Sequence, residues 1–198
     1  QQAAEQGQGG RQDAISGMTW TIEPMPLRGP LFEGAIAVYG AAFSEPPYND
    51  PDRGREVRGR LRDTHARRPH YRAFVAREPG GDVVGMIYGY RSSWGQWWHD
   101  TVRVALGWEE ASRWLNDAYE IVEVAVAPRW QGRGIGEAMI ASLLDGRPER
   151  TSVLSTRTDS RAHQLYRRLG FQVIRAMAFA PGGAEFYVMG RMMHQPDG

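Results

Sequence analysis

The stretch RWQGRGIGEAM, Arg129 to Met139, places three glycines within five residues. It follows the apolar run AYEIVEVAVAP (118–128) and lies within a helical pattern over 131–145. Ordering glycine costs backbone entropy, so such a cluster marks a sharp turn or a close approach to the backbone. A strand, a glycine turn and a helix start form an anion site in physical terms. The first helical turn has unpaired N–H groups and partial positive charge, and without Cβ atoms an oxyanion reaches them directly. Gly132, Gly134 and Gly136 then form a phosphate-binding turn, with Arg129 and Arg133 adding charge. The alternative is a tight strand-to-helix turn with no ligand. Two common nucleotide fingerprints fail. A G-x-G-x-x-G pattern needs glycine where Glu137 or Met139 stands, and a P-loop needs a lysine the chain lacks.

The rest of the chain sets the frame. Its 198 residues suffice for one domain with a real core, and 41% hydrophobic with 24% charged residues is an ordinary globular profile. A net charge of +1 calls for neither nucleic acid nor membrane. With no cysteine, disulfides, thiolate catalysis and Cys-based zinc sites are excluded. The five histidines are scattered, and no metal site is expected. No apolar run approaches a membrane span, and a cytoplasmic protein is the expectation. Residues 1–17 read as a polar tail or expression remnant, and 18–198 as a single domain.

Along the chain, strands are expected at 18–25, in the hairpin around PGGD (79–82), at 118–128, at 151–158 and in a final hairpin around APGGA (180–184). Helices are expected at 29–43, 55–68, 131–145 and 160–170. The arginines of 55–68 read as a solvated helix face. The segment 94–117 is an insertion holding five of the seven Trp. The order β-α-α-β-β-β-α-β-α-β-β implies an α/β domain with a mixed sheet.

Gln131-Gly132-Arg133-Gly134-Ile135-Gly136 has the form Q-x-x-G-x-G. It resembles the acetyl-CoA pyrophosphate loop of the GNAT superfamily of N-acetyltransferases. VEVAVAP resembles that family's central strand, and DSRAHQLYRRLGF its second signature, a helix with Ala, Tyr and a terminal Gly-Phe. The resemblance covers roughly residues 18–193. It implies a mostly antiparallel, twisted mixed sheet of about six to seven strands, flanked by about four helices and splayed at the central strand.

The same resemblance implies acetyl-CoA as co-substrate and no metal. The backbones of Val124, Ala125 and Val126 would pair with the pantetheine arm, which lies in the splay like an extra strand, and one amide there would polarise the thioester carbonyl. The turn Gln131, Gly132, Arg133, Gly134, Ile135, Gly136 would wrap the pyrophosphate. Many relatives carry Asn where this chain has Asp159, which when ionised has no hydrogen to donate to CoA. Asp159 or Ser160 is also placed to cap the helix that follows.

An attacking amine must first lose a proton, and a carboxylate is a suitable acceptor, directly or through water. Glu120 and Glu123 are the candidates. Three apart, they face opposite sides of a regular strand, and a bulge of the kind this family has here would change that. Either is otherwise an arginine partner or solvated. Tyr166 stands where the family keeps the acid that protonates the departing thiolate. With Ala162, Leu165 and Leu169 it also makes a plain core stripe.

For the acceptor, 43–50 with Tyr48 and the Trp-rich insertion with Trp97 and Trp98 are the candidate walls. Asp100, Glu109 and Glu110 are available to attract a cationic amine. The same tryptophans otherwise cap the core or bury an interface, which leaves room for a homodimer. The expected activity is acetyl transfer to the primary amine of a small molecule, by direct attack in a ternary complex. The alternatives are a protein N-terminal or side-chain acetyltransferase and a non-catalytic acyl-CoA-binding regulatory module. DNA binding through the arginines of 53–72 has weak support, and no nucleic-acid or membrane partner is expected.

Overall fold

A computed structural model describes residues 19–193. The predicted tail at 1–17, and residues 18 and 194–198 of the predicted domain, lie outside the described residues. The strands are β1 (Thr21–Pro24), β2 (Arg72–Arg77), β3 (Val83–Ser92), β4 (Ala118–Val126), β5 (Thr151–Arg157), β6 (Gln172–Ala178) and β7 (Glu185–Met192). The helices are α1 (Pro30–Ser44), α2 (Arg53–Asp63), α3 (Trp97–Leu106), α4 (Trp108–Leu115), α5 (Ile135–Leu144) and α6 (Ala162–Arg168). One sheet runs in the order β1-β2-β3-β4-β5-β7-β6, and every neighbouring pair is antiparallel except β4 with β5. This is the mixed, mostly antiparallel sheet that the resemblance implies.

Three apolar clusters hold the layers together. Phe32, Ile36 and Tyr39 of α1 and Val57 and Leu61 of α2 pack on Val75, Met86 and Tyr88, covering one face. Met139, Ile140 and Leu143 of α5 and Tyr166 of α6 pack on Ile87, Tyr119, Ile121 and Leu154, covering the other. The Trp-rich insertion forms α3 and α4, the two helices added to the four read from periodicity. Their Trp98, Val102 and Trp114 seal Ala118, Val153 and Val188.

Two irregularities shape the centre of the sheet. Tyr90 faces Glu120, Gly89 faces Ile121 and Tyr88 faces Glu123, so β4 carries one extra residue, Val122, in a bulge. Gly89 makes the bulge possible, because a Cβ there would lie 2.4 Å from the Glu120 carbonyl oxygen. The parallel pairing of β4 with β5 covers only Ala118 to Glu120 against Thr151 to Val153. Beyond it the strands part, and Ile121 and Glu123–Val126 pair with β3 alone.

Candidate functional site

The splay is bordered by two cavities. The first, about 770 Å³, runs from Val124, Ala125 and Val126 along the loop Gln131–Gly132 to Gly134–Glu137, then across to Asp159–Ala162 and Tyr166. The second, about 560 Å³, is lined by Glu120 to Val124 of β4, by residues of α2 and by Trp97, Trp98, Phe179 and Phe186. Phe43, Tyr48, Val124, Ala162 and Tyr166 line both.

The helix expected from residue 131 begins at Ile135, and 131–134 form the turn before it. The three glycines serve two ends. Gly132 (φ 75°) and Gly134 (φ 81°) adopt the left-handed region, where a Cβ is strained. Gly136 is a packing glycine, since a Cβ there would meet Leu165 of α6 at 3.1 Å. The Gln131 side-chain amide donates to the Val126 carbonyl at 3.0 Å and ties the turn to the end of β4. The α5 first turn opens toward the cavity with its amides free of intrahelical acceptors, as a helix start requires. This turn and the unpaired edge of β4 fit the diphosphate and amide-bearing arm of acetyl-CoA.

Two expected charges stand elsewhere. The Arg133 guanidinium lies 4.8 Å from the centre of the Trp130 ring, and neither it nor Arg129 is on the cavity wall, where Arg161 and Arg168 stand. Asp159 lines the cavity but accepts two hydrogen bonds from Arg157, at 2.9 and 2.7 Å. The cap acceptor at the start of α6 is the Ser160 hydroxyl, which receives the Ala162 amide at 3.2 Å.

The bulge decides the facing of the carboxylates. Tyr88 and Tyr90 point to one face of β3, and their partners Glu123 and Glu120 therefore point together into the second cavity. Glu120 is 4% exposed and its Oε2 has no hydrogen-bond partner. Burial pushes its carboxyl up to about 8, opposed by Arg68 and reinforced by Glu123. Glu123 sits 3.3 Å from the Arg60 guanidinium, and burial also raises its carboxyl, against the pull of Arg53 and Arg60. Tyr166 is 8% exposed where the cavities meet, and burial holds its phenol well above the ordinary value.

Arg55, Arg62 and Arg67 are exposed, as expected of a solvated face, but other arginines of this region turn to the site. Arg53, Arg60 and, just beyond the helix, Arg68 line the second cavity. Arg53 Nε donates to the Tyr39 hydroxyl at 2.9 Å and Arg68 to the Tyr90 hydroxyl. His65, also on the wall, is driven down to about 3 by burial and by Arg68 and Arg60, so it is neutral.

The insertion divides its tryptophans. Trp114 is core, and Trp98 anchors to Ser155 Oγ at 3.0 Å while lining the cavity. Trp97 lines the mouth, 5.5 Å from the Phe179 ring, whereas Trp94 and Trp108 are exposed away from both walls. Asp100 accepts the Gly95 amide at 3.1 Å, and with Glu109 and Glu110 it stays off the walls. His99 is buried against Ser92 Oγ at 2.9 Å. Among the described residues no group of acidic, His or Cys side chains is arranged to hold a metal, and no helix is long and apolar enough to cross a membrane.

Comparison with known proteins agrees with this geometry. Residues 69–173 match the acetyltransferase (GNAT) domain family. A GCN5-like protein acetyltransferase of Mycobacterium tuberculosis is 39% identical over 123 residues, 56% of this chain and 59% of that protein. The N-alpha-acetyltransferase RimI of the same organism is 38% identical over 81 residues, 39% of this chain and 51% of that one. The chain therefore spans about three fifths or less of the length of these relatives. A Corynebacterium glutamicum protein described as histone acetyltransferase HPA2 and related acetyltransferase superposes with TM-score 0.61 at 22% identity, covering 89% of this chain and 98% of the other. The ribosomal-protein-S18-alanine N-acetyltransferase of Escherichia coli gives 0.59 at 16%, covering 90% and 96%. At such identities the likeness is one of fold. The domain match takes in more than half of the chain, from β2 through the glycine turn and the Tyr166 helix, and the chain belongs to the GNAT acetyltransferase family.

Proposed function

We propose that the protein transfers an acetyl group from acetyl-CoA to the primary amine of a small molecule, by direct attack within a ternary complex. The observation that carries this is the meeting of two cavities at Val124 and Tyr166, with Glu120 and Glu123 facing into one of them alone. Acetyl-CoA would lie along β4, with its diphosphate on the turn Gln131–Gly136. The acceptor would occupy the cavity of the two carboxylates. Its nitrogen attacks the thioester carbonyl, the carbon–sulfur bond breaks, and the thiolate takes a proton from the Tyr166 hydroxyl. Glu120 is the favoured base, through water and in its ionised fraction, because it has an unpartnered oxygen and a carboxyl raised to about 8. Glu123 is engaged by Arg60 and helps set that pKa.

The contact of Trp97 with Phe179 across the mouth supports a small acceptor over a peptide laid in an open groove. The 39% identical relative described as a protein acetyltransferase supports a second reading, in which the amine belongs to a protein.

Release of free CoA from acetyl-CoA, over a panel of small amines and peptides, tests both readings. Glu120→Gln is expected to slow turnover about 100-fold and Tyr166→Phe at least about 10-fold, with CoA binding retained. Unchanged rates with a true acceptor would remove both assignments. CoA binding with no turnover of any amine would favour a non-catalytic module. A panel in which only peptides react would select the second reading.

A further inference from the structure

The wall of the acceptor cavity carries more positive than negative side chains. Arg53, Arg60, Arg68 and Arg157 line it, against Glu120 and Glu123. Even with Asp159, which binds Arg157, there are four guanidinium groups to three carboxylates. At neutral pH the balance is more positive still, because Glu120 is held largely protonated.

Two of these arginines stand out. Among the described residues, neither Arg53 nor Arg68 is in an ion pair, and the hydrogen bond of each runs to a tyrosine hydroxyl. A hydroxyl leaves most of the guanidinium donors unused, and the charges of Arg53 and Arg68 meet Glu123 and Glu120 only through the field of the cavity, without an ion pair. Arg68 lies over the Tyr90 ring, 4.6 Å from its centre, on the wall that the acetyl-CoA cavity does not share. A partly desolvated cation in that position is a receptor for a planar or tetrahedral oxyanion. The same field disfavours a second cation and helps an acceptor ammonium give up its proton.

We propose that the acceptor carries an oxyanion, a carboxylate or a phosphate, on the same small molecule as its reacting amine, and that Arg68, with Arg53, binds it. The proposal rests on the acceptor reading of this cavity, and it adds a substrate class.

The test uses matched pairs that differ in the anion: tyrosine with tyramine for a carboxylate, and O-phosphoethanolamine with ethanolamine for a phosphate. Binding to the CoA-saturated protein is measured by calorimetry, which does not require turnover, and CoA release is followed in parallel with acetyl-CoA. In at least one pair the anionic member is expected to bind at least about 10-fold tighter, and which pair it is identifies the anion. Arg68→Gln is expected to collapse that ratio toward one, and Arg68→Lys to restore part of it. Unchanged CoA binding in both variants reports an intact fold. Equal or tighter binding of the cationic member in both pairs overturns the proposal, as does failure of all four compounds to bind. A ratio that survives Arg68→Gln overturns the assignment to Arg68. Anion-dependent binding without CoA release upholds the oxyanion site while counting against acetyl transfer.

Discussion

Glu120 is a carboxylic acid that its surroundings keep protonated into the neutral range. Its folded pKa, about 8, lies above the ordinary value of 4.5, with burial as the main cause. Two consequences follow at the scale of this residue. If Glu120 accepts the proton, turnover should rise with pH along a limb centred near 8, and Glu120→Gln should erase that limb while leaving the one set by the acceptor amine. Stability moves the other way. Below about pH 4.5 the folded and unfolded chains both hold this proton. As pH rises through about 8 only the unfolded chain gives it up easily, so stability is lost across that window, at most about 1.4 kcal/mol per pH unit. Denaturant midpoints should therefore show Glu120→Gln gaining on the natural chain from pH 5 to pH 9. No such gain would mean that the carboxylate is better solvated than its burial implies.

At the scale of elements, the bulge in β4 and the turn before α5 organise the site. Gly89→Ala would drive a Cβ into the backbone of Glu120, so the bulge must shift or the strands must separate. A loss of about 1–3 kcal/mol is expected, as for overpacking elsewhere, with turnover falling because Glu123 rotates away from the cavity. Retention of both stability and activity would show that the bulge is dispensable. Gly134→Ala keeps open space around it but imposes a left-handed conformation on a residue with a Cβ. It is expected to cost about 1–2 kcal/mol and to weaken CoA binding in a direct titration.

Much of this was legible from the chain. The strand–turn–helix at 118–145 was visible because apolar runs, glycines and helical spacing coincide there. The α3–α4 pair also carried helical spacing, at Trp98, Val102 and Leu106 and at Ala111, Trp114 and Leu115, but Gly107 breaks it into two short runs and the exposed Trp97 and Trp108 blur their apolar faces. The facing of Glu120 and Glu123 depended on one extra residue at Val122, whose effect required the partner Gly89. The cavity arginines of α2 also carry a signal in the sequence. Arg53, Val57, Arg60 and Leu61 fall at helical spacing on one face, so charges flank the buried stripe. Charge alone suggested solvent, whereas position relative to the apolar residues pointed inward.

Across the whole molecule, β4 and β5 divide the sheet into a four-strand and a three-strand part. Backbone pairing joins them only from Ala118 to Glu120, although apolar helices bridge both faces. A ligand arm bonded along the open edge of β4 would extend that short seam toward the loop. In amide hydrogen exchange, the free protein is then expected to open as two blocks with different protection, and saturating CoA to merge them into a single cooperative unit. The co-substrate would thus act as a missing piece of the scaffold, and the protein's mechanical continuity would report how much acetyl-CoA surrounds it.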